Sequence, residues 1–333
     1  MNAPLPTQAA AAVAATAPAR ERLQVRLQSV AYATPDIQVY EFVRPDGAPL
    51  PEASAGAHVD VHLANGITRS YSLLHAEPAP ARYVVGVKRD PNSRGGSQYM
   101  HEQLRVGTLL ELSAPRNHFP LTEDAPHSVL FAGGIGITPI LCMAERLRAL
   151  GASWELWYAV RARSDLAFLP QLARFGERVR LHVDAEANAV LDMAAIAAQA
   201  PAGTHFYCCG PGPMLTAYEA ATAGWPPESV HLERFGASAP LVTGGDGFVV
   251  QLARSGVELR VPAESTVLQV LQQNGIAVDS SCEAGICGCC EIGVLDGEVD
   301  HRDEVLTASQ RAANRSMMVC CSRAKSARLV LDL

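Results

Sequence analysis

The chain has 333 residues, of which 48% are hydrophobic and 18% are charged, and its net charge is −7. This length predicts two or three domains, and the composition is typical of globular proteins rather than disordered chains. The negative charge argues against a nucleic-acid surface as the main function. No stretch approaches the roughly 18 uninterrupted apolar residues that a membrane helix needs, so no membrane association is expected.

The first 21 residues form a distinct segment that is rich in Ala, Pro and Thr and carries no charge before Arg20. A secretory signal begins with positive charge and continues into a leucine-type apolar core, which this segment lacks. We therefore expect residues 1–21 to be a disordered tail and the protein to be cytoplasmic.

Short strand-like runs separated by turns dominate residues 22–122. Apolar and polar residues alternate over residues 23–27 and 59–63, and Asn65-Gly66 is typical of a hairpin turn. Further strand-like runs are residues 82–87 and 108–112. The pattern predicts an antiparallel β-barrel domain.

The periodicity changes over residues 123–236, where strand-like runs alternate with helical or turn segments. The runs are 128–132, 155–160, 179–183, 205–209 and 230–233, and a helix is predicted over 140–150. This alternation predicts an α/β domain with a parallel sheet.

Residues 237–246 belong to a Gly-rich stretch with few bulky side chains and are predicted to be a linker. From residue 247 to 333 the chain shows a hairpin, a helix, a cysteine-rich loop and a final strand. The predicted elements are 248–252, 257–261, 266–274 and 328–331. The fold class is therefore multidomain, with three successive domains.

Six of the nine cysteines lie in the last 52 residues, which in a chain without an export signal indicates metal binding rather than disulfides. Cys282-x4-Cys287-x2-Cys290, followed after 29 residues by Cys320, is the spacing of a plant-type [2Fe–2S] site. A four-cysteine zinc site is the alternative. Zinc sites favour two short Cys-x2-Cys pairs, and only one is present here.

Two glycines and two further cysteines lie beside these ligands. At Gly285 and Gly288 a side chain would crowd a cluster, so glycine suits both positions. Cys289 and Cys321 would break the ligand spacing, and we interpret them as packed or bystander thiols.

The segment Arg69-Ser70-Tyr71-Ser72 has side chains that suit a flavin. Arg69 can grip a phosphate, Tyr71 can cover a ring face, and Ser72 can hydrogen-bond a reactive ring nitrogen. A polar strand end is the alternative interpretation of this short motif.

A second segment supports the flavin interpretation. Lys88 is followed by Arg94-Gly95-Gly96-Ser97, which opens a predicted helix over 98–104. Backbone amides at such a helix start can bind a phosphate. A turn and an ordinary capped helix would give the same pattern.

A glycine-rich turn, residues 132–139, follows a predicted strand and opens a helix. Gly133, Gly134 and Gly136 let the backbone approach a pyrophosphate, and Pro139 suits the first helical turn. The turn is not the Gly-x-Gly-x-x-Gly fingerprint, because a proline stands at its end and no acidic residue ends the next strand. A plain glycine-rich turn is the alternative.

Together these motifs resemble the ferredoxin-reductase superfamily, and within it the phthalate dioxygenase reductase and vanillate demethylase reductase family. The resemblance covers about residues 22–333. The motifs that carry it are Arg69-x-Tyr71-Ser72, Lys88-Arg89, Arg94-Gly95-Gly96-Ser97, Pro115-Arg116-Asn117, the Gly133 turn, Cys209-Gly210-Pro211, the C-terminal cysteines and Ser322-Arg323-Ala324-Lys325.

The resemblance implies FMN in the barrel, a nicotinamide nucleotide in the α/β domain, and a β-grasp ferredoxin domain. It implies that Thr138 faces the contact between nicotinamide and flavin, and that Cys209, with Gly210 and Pro211, lies beside the nicotinamide. Phe235 would cover one flavin face, with a buried core phenylalanine as the alternative. Arg161, Arg163 and Ser164 could hold the 2′-phosphate of NADPH or be ordinary surface residues, so the choice between NADH and NADPH stays open. The family favours NADH.

The expected function is the reductase component of a two-component oxygenase. A nicotinamide gives up two electrons as one hydride, whereas a [2Fe–2S] cluster takes one at a time, so a flavin must stand between them. By resemblance the acceptor is a Rieske-type terminal oxygenase. The alternatives are a free-standing NAD(P)H reductase of another one-electron acceptor and a zinc-stapled nucleotide-binding module.

Overall fold

The computed structural model describes residues 22–91, 93–235, 244–306 and 308–333. The predicted tail and most of the predicted linker lie outside the described residues. The chain forms two compact units, whose described parts are residues 22–235 and 244–333. Within these described ranges, no helix has the length and apolar character needed to cross a membrane.

The first unit begins with a six-stranded antiparallel sheet that closes into a barrel. Its strands are ordered β4-β3-β6-β1-β2-β5, and a bridge between Leu73 and Val85 joins the two ends. The side chains of Leu23, Val25 and Leu27 alternate into the core, because successive residues of a strand face opposite sides. The elements are β1 Arg22–Thr34, β2 Ile37–Val43, β3 His58–His62, β4 Thr68–Ser72, β5 Tyr83–Lys88, α1 Gly96–Glu102 and β6 Leu109–Ser113.

The same unit continues into a five-stranded sheet whose neighbouring strands are all parallel. The strand order is β11-β10-β7-β8-β9. Both faces are covered, so its central strand is a continuous buried run. The elements are β7 His127–Gly133, α2 Ile137–Ala149, β8 Trp154–Val160, α3 Leu169–Leu172, β9 Val179–Val183, α4 Asp184–Ala187, α5 Met193–Gln199, β10 Thr204–Cys209, α6 Gly212–Thr222 and β11 Val230–Glu233.

The second unit is a mixed sheet, ordered β13-β12-β18-β14-β16, with a helix packed on it. Thr266 caps that helix with a reciprocal side-chain bond to Gln269. A small β15–β17 ladder lies beside the main sheet. The elements are β12 Phe248–Leu252, β13 Glu258–Val261, α7 Val267–Gln273, β14 Glu291–Asp296, β15 Val299–Asp300, α8 Ala308–Ala313, β16 Ser316–Met318, β17 Arg323–Ala324 and β18 Arg328–Leu331.

The predicted fold class is confirmed: an antiparallel barrel, a parallel α/β sheet and a C-terminal β-grasp arrangement follow in the expected order. The sequence reasoning missed β2 and the four strands β14 to β17. The predicted helix after the glycine turn also began three residues too late. In the structure a 3-10 turn at Gly134–Gly136 leads directly into the α-helix that begins at Ile137. The domain boundaries at 122 and 236 stay a prediction.

Candidate functional site

The carboxyl ends of the five parallel strands form one edge of their sheet, which we call the rim. Parallel α/β sheets bind ligands at this edge, because the loops there leave a crevice beyond the strand ends. The predicted glycine turn follows β7, Cys209 ends β10, and Phe235 comes two residues after β11. The topology therefore brings three separately predicted motifs to the rim.

Two loops of the rim pack directly on each other. A Cβ atom placed on Gly136 would lie 2.1 Å from the Cys209 carbonyl oxygen, so only glycine fits this position. Gly133 is also close-packed, since its Cβ would lie 2.5 Å from Met214 Sδ and 2.7 Å from Pro211. Gly134, with a φ of +53°, has no atom within 4 Å of its Cβ position. The turn is thus closed on one side and open on the other, as a pyrophosphate cradle requires.

The two neighbouring cysteines of β10 face opposite sides of the sheet. Cys208 packs in the cluster of Phe131 and Phe206, whereas Cys209 lies in the cluster that contains α2. Cys209 is fully buried. Burial raises the pKa of its thiol well above the ordinary value, so the thiol is neutral near pH 7. Such a group can pack against a ring but is not an activated nucleophile.

Glu233 is a functional candidate that the sequence reasoning missed. It ends β11 beside Cys209, and its Oε2 accepts a hydrogen bond of 3.3 Å from the Ser72 hydroxyl at the end of β4. Burial raises the pKa of this carboxyl to about 8. An acidic residue at the end of a strand next to a predicted site strand was the available signal. The bond joins the barrel to the rim.

Phe235 lies just beyond Glu233 and is 45% exposed. The alternative that it is a buried core residue is therefore wrong. An exposed aromatic ring at a rim is available to cover a planar ligand. Its contact with a flavin stays a prediction.

Arg69 and the glycine pair at the start of α1 lie together. A Cβ on Gly96 would be 2.6 Å from the Arg69 side chain, and Arg69 Nη2 donates to the Arg94 carbonyl at 3.5 Å. The hydroxyls of Ser93 and Ser97 are 3.0 Å apart, and Ser93 Oγ accepts from the Gly95 amide. A guanidinium, hydroxyls and amides in one loop are the donor set that suits a phosphate monoester.

The other predicted barrel residues have different surroundings. Lys88 forms an ion pair of 3.1 Å with Asp36. Tyr71 is partly buried against the barrel core, and burial raises its pKa above the ordinary range. Thr138 is buried, and its methyl group would lie 2.9 Å from a Cβ on Gly86 of β5. Thr138 therefore stands where the barrel contacts the rim.

The loops after β8 and β9 carry the charges at the far end of the rim. Arg163 forms a two-pronged ion pair with Glu186, with distances of 2.7 and 2.6 Å. The Ala185 amide donates to the Arg161 carbonyl at 3.1 Å and so fixes one loop on the other. Sequence reasoning found no acidic residue at the end of β8, and the carboxylate that pairs with Arg163 comes from α4, after the next strand.

In the second unit the four predicted ligand cysteines meet in two pairs. Cys282 lies in contact with Cys287, and Cys320 lies in contact with Cys290. The Ala284 amide donates to Cys282 Sγ at 3.3 Å, and the Cys289 amide donates to Cys287 Sγ at 3.5 Å. Sulfur ligands of an iron–sulfur cluster accept such amide bonds.

The pairing distinguishes the two metal sites that the spacing allows. Within the described part of the chain, no three Cys, His, Asp or Glu side chains converge as ligands of a single ion. Two pairs suit the two irons of a [2Fe–2S] cluster, whereas a tetrahedral zinc site needs all four ligands around one point. The cysteines fit the cluster.

The extra cysteines each lie against one pair. The Cys282 thiol, and after it the Cys289 thiol, lowers the pKa of Cys287, while Cys321 contacts Cys320. A Cβ on Gly285 would lie 2.7 Å from Cys321 Sγ. Both cysteines are buried, and their interpretation as packed thiols stays a prediction.

The fold and these sites together define a class of protein: a nicotinamide-dependent flavin oxidoreductase with an attached iron–sulfur domain. Comparisons with known proteins agree. A family model described as the 2Fe-2S iron-sulfur cluster binding domain matches residues 250–325.

Similar chains extend over nearly the whole protein. The phenoxybenzoate dioxygenase subunit beta of Ectopseudomonas oleovorans is 51% identical over 311 residues, which cover 93% of this chain and 97% of that protein. The tetrachlorobenzoquinone reductase of Sphingobium chlorophenolicum is 52% identical over 304 residues, with coverages of 90% and 94%. Among solved structures, phthalate dioxygenase reductase matches with a TM-score of 0.70 and 40% identity, covering 94% of this chain and 98% of that one.

The chain therefore belongs to the phthalate dioxygenase reductase and vanillate demethylase reductase family, as its motifs predicted. This membership confirms an NAD(P)H-dependent oxidoreductase that is the reductase component of an oxygenase system, with FMN, a [2Fe–2S] cluster and NADH as its redox groups. The alternative of a zinc-stapled module without electron transfer has no support in this family.

Proposed function

We propose that this protein supplies electrons from NADH to a separate Rieske-type terminal oxygenase. Bound FMN would supply the chemistry that converts a two-electron hydride into single electrons for the [2Fe–2S] cluster. The observation that carries the proposal is the 3.3 Å bond between Ser72 and Glu233, because it joins the predicted flavin strand to the nicotinamide rim. Hydride transfer needs its two partners held in contact, which this arrangement supports.

The rim residues would bind and orient the nucleotide. Gly133, Gly134 and Gly136 leave room for the pyrophosphate, while the neutral thiol of Cys209 packs beside the nicotinamide. Thr138 would fix the spacing between the turn and β5. The strand order is β11-β10-β7-β8-β9. The dinucleotide would therefore extend across the rim, with its nicotinamide at β10 and its adenosine at β8.

The barrel residues would hold FMN. Arg69, Gly95, Gly96 and Ser97 would bind its phosphate, with Lys88 adding positive charge nearby. Ser72 would hydrogen-bond the reactive edge of the ring. Tyr71 and Phe235 would cover its two faces.

In the second unit, we propose Cys282, Cys287, Cys290 and Cys320 as the cluster ligands. Residues 246–333 contain 8 Arg and Lys against 12 Asp and Glu, a net charge of 8 − 12 = −4. An acidic surface favours an acceptor with a basic docking patch.

We also propose a cytoplasmic location. Two observations support it: the reaction consumes NADH, and the nine cysteines form no disulfide.

The test is to purify the protein and mix it with NADH and a one-electron acceptor such as cytochrome c. We expect rapid reduction without any aromatic substrate, FMN in a boiled extract, and two irons with acid-labile sulfide. The Cys287→Ala variant should lose cytochrome c reduction and keep NADH oxidation by a hydride-accepting dye. A protein without flavin, or one that contains zinc instead of iron, would contradict the proposal.

A free-standing quinone reductase is the second candidate, because one of the similar chains is named tetrachlorobenzoquinone reductase. The two functions differ in the need for a partner protein. Selective stimulation of NADH oxidation by one terminal oxygenase favours the first. Fast turnover with a quinone alone favours the second.

A further inference from the structure

We propose that Asp303 sets the reduction potential of the cluster by placing a fixed negative charge directly behind the cysteine loop. The inference rests on the proposed function only in that Cys282, Cys287, Cys290 and Cys320 hold a [2Fe–2S] cluster. Asp303 is not a ligand in this proposal. It acts through the loop and through space as a positioning and charge-supplying residue.

Asp303 is a completely buried carboxylate in the second unit, with no exposed side-chain surface. Its Oδ2 accepts hydrogen bonds from the amides of Val305 and Leu306 at 3.1 and 2.8 Å. Its Oδ1 accepts from the Ser322 hydroxyl at 3.4 Å. Three hydrogen-bond donors therefore face the two carboxylate oxygens in the interior.

The Asp303 backbone packs against the loop that carries the first two ligands. A Cβ on Gly285 would be 3.1 Å from Asp303 Cα, and the Glu304 amide donates to the Gly285 carbonyl at 2.8 Å. Ser322 follows Cys320 and Cys321 directly. Asp303 is therefore tied to both ends of the ligand set.

The charge is only partly compensated. Arg311 Nη2 is 3.9 Å from Asp303 Oδ2 and donates to the Asp303 main-chain oxygen, but its side chain is 39% exposed. His301 Nδ1 is 3.7 Å from Asp303 Oδ1, which is longer than a hydrogen bond. Neither ring nitrogen of this buried histidine has a hydrogen-bond partner within the part of the chain that the structure describes.

Cluster reduction adds one negative charge, so a neighbouring carboxylate opposes it and lowers the reduction potential. Burial makes this effect larger than that of a surface charge, because water and salt screen it less. A lower potential makes the cluster a stronger donor to its acceptor. Arg311 has the opposite effect, since its positive charge favours reduction.

The test measures the cluster potential by redox titration with EPR detection in the full-length holoprotein. Asp303→Asn keeps a side-chain oxygen acceptor and removes the charge. We expect the reduced-to-oxidised ratio at a fixed potential to rise about tenfold, which is about +59 mV for one electron. Arg311→Gln should shift the potential in the negative direction.

The matched controls come from an exposed ion pair of the same unit. Glu298 and Lys325 are 3.1 Å apart, and their side chains are 66% and 58% exposed. Glu298→Gln and Lys325→Gln make the same charge changes and should leave the potential unchanged. A purely structural role for Asp303 would not give shifts of opposite sign in the two test variants.

Asp303→Asn with an intact cluster spectrum and an unshifted potential would overturn the inference, as would a shift of equal size in Glu298→Gln. If Asp303→Asn fails to assemble a cluster, Arg311→Gln decides, and an unchanged or higher potential overturns it. A wild-type protein that binds no cluster would instead refute the proposed function. The two failures are thus distinguishable.

Discussion

Ser72 and Glu233 lie 161 positions apart in the chain, yet their side chains meet where the barrel contacts the rim. Ser72 is buried, and the Glu233 carboxyl beside it has its pKa raised to about 8. Near pH 7 the pair therefore offers hydroxyl groups and little charge. A neutral hydrogen-bonding pair can orient a ring edge without an electrostatic penalty.

Replacing Ser72 by Ala removes one hydroxyl from this pair. A hydrogen bond of this kind contributes about 1–1.5 kcal/mol, so we expect kcat/KM for NADH to fall about tenfold while FMN remains bound. Stopped-flow measurement of flavin reduction checks this. Ser128→Ala, which removes a buried hydroxyl at the opposite end of β7, should have no effect on the rate. Equal rates in all three proteins would contradict a role for Ser72.

Glu233 makes stability depend on pH. Between the ordinary value of 4.5 and about 8, the folded protein keeps a proton that the unfolded chain has released. Stability is therefore highest below this window and falls as the pH rises through it. Glu233→Gln removes the effect. As the pH rises through this window, we expect the free energy of unfolding of the wild type to fall by about 1–3 kcal/mol more than that of the variant. Urea denaturation at several pH values measures the difference.

We expect the loops after β8 and β9 to determine which nucleotide binds at the adenosine end of the rim. The Arg163 guanidinium is already bound by Glu186, and Asp184, two residues earlier in α4, adds a second carboxylate to the same short helix. A 2′-phosphate would have to displace one carboxylate and approach another, whereas a 2′-hydroxyl can donate to either. This arrangement favours NADH.

Glu186→Gln should therefore raise the ratio of kcat/KM for NADPH to that for NADH about tenfold, because Arg163 is freed for a phosphate. Binding of 2′,5′-ADP, measured by calorimetry, should tighten in parallel. Glu123→Gln disrupts a similar two-pronged pair with Arg146 and serves as the control. A variant with an unchanged ratio would show that this pair does not select the nucleotide.

The cysteine loop depends on glycine for two separable reasons. Gly285 has a φ of +71° and a Cβ position 2.7 Å from Cys321 Sγ, whereas Gly275 has a φ of +72° and open space around it. Alanine at either position costs about 1–2 kcal/mol in backbone strain. Only Gly285→Ala should also lose cluster absorbance in the visible spectrum. Similar cluster content in the two variants would show that the contact with Cys321 is unimportant.

The sequence was sufficient for features that depend on local spacing. The runs at β9, β11, β12 and β18 were predicted to the residue, because their apolar residues and turn signals are strong. Contacts between distant loops could not be predicted. The acidic partner of Arg163 comes from α4, and Asp303 packs against Gly285 of the cysteine loop although the two residues are distant in the chain.

For the whole molecule, charge should govern how the protein meets its acceptor. The chain has a net charge of −7, and residues 246–333 contribute 8 − 12 = −4 of it. Glu283, in the cysteine loop, is exposed. Long-range attraction between opposite charges speeds association and is weakened by salt.

We expect reduction of the basic protein cytochrome c to slow several-fold when the ionic strength rises from about 0.05 to 0.3 M. Reduction of ferricyanide, a small anion, should stay constant or become faster over the same range. Both assays depend on hydride transfer, but only the reduction of cytochrome c also depends on docking between two proteins. A difference in their salt dependence therefore reports on docking. A parallel decline with both acceptors would show that salt acts on the flavin or nucleotide site instead.

The near-contact of Gly136 with the Cys209 carbonyl has a consequence for how this protein can vary. The two loops pack directly on each other, so we expect an insertion in one to displace the other. Substitutions that alter nucleotide binding by one loop will therefore also affect the position of the other loop, where hydride transfer is expected. Successful redesign of either loop will require both to be exchanged together, as a cassette.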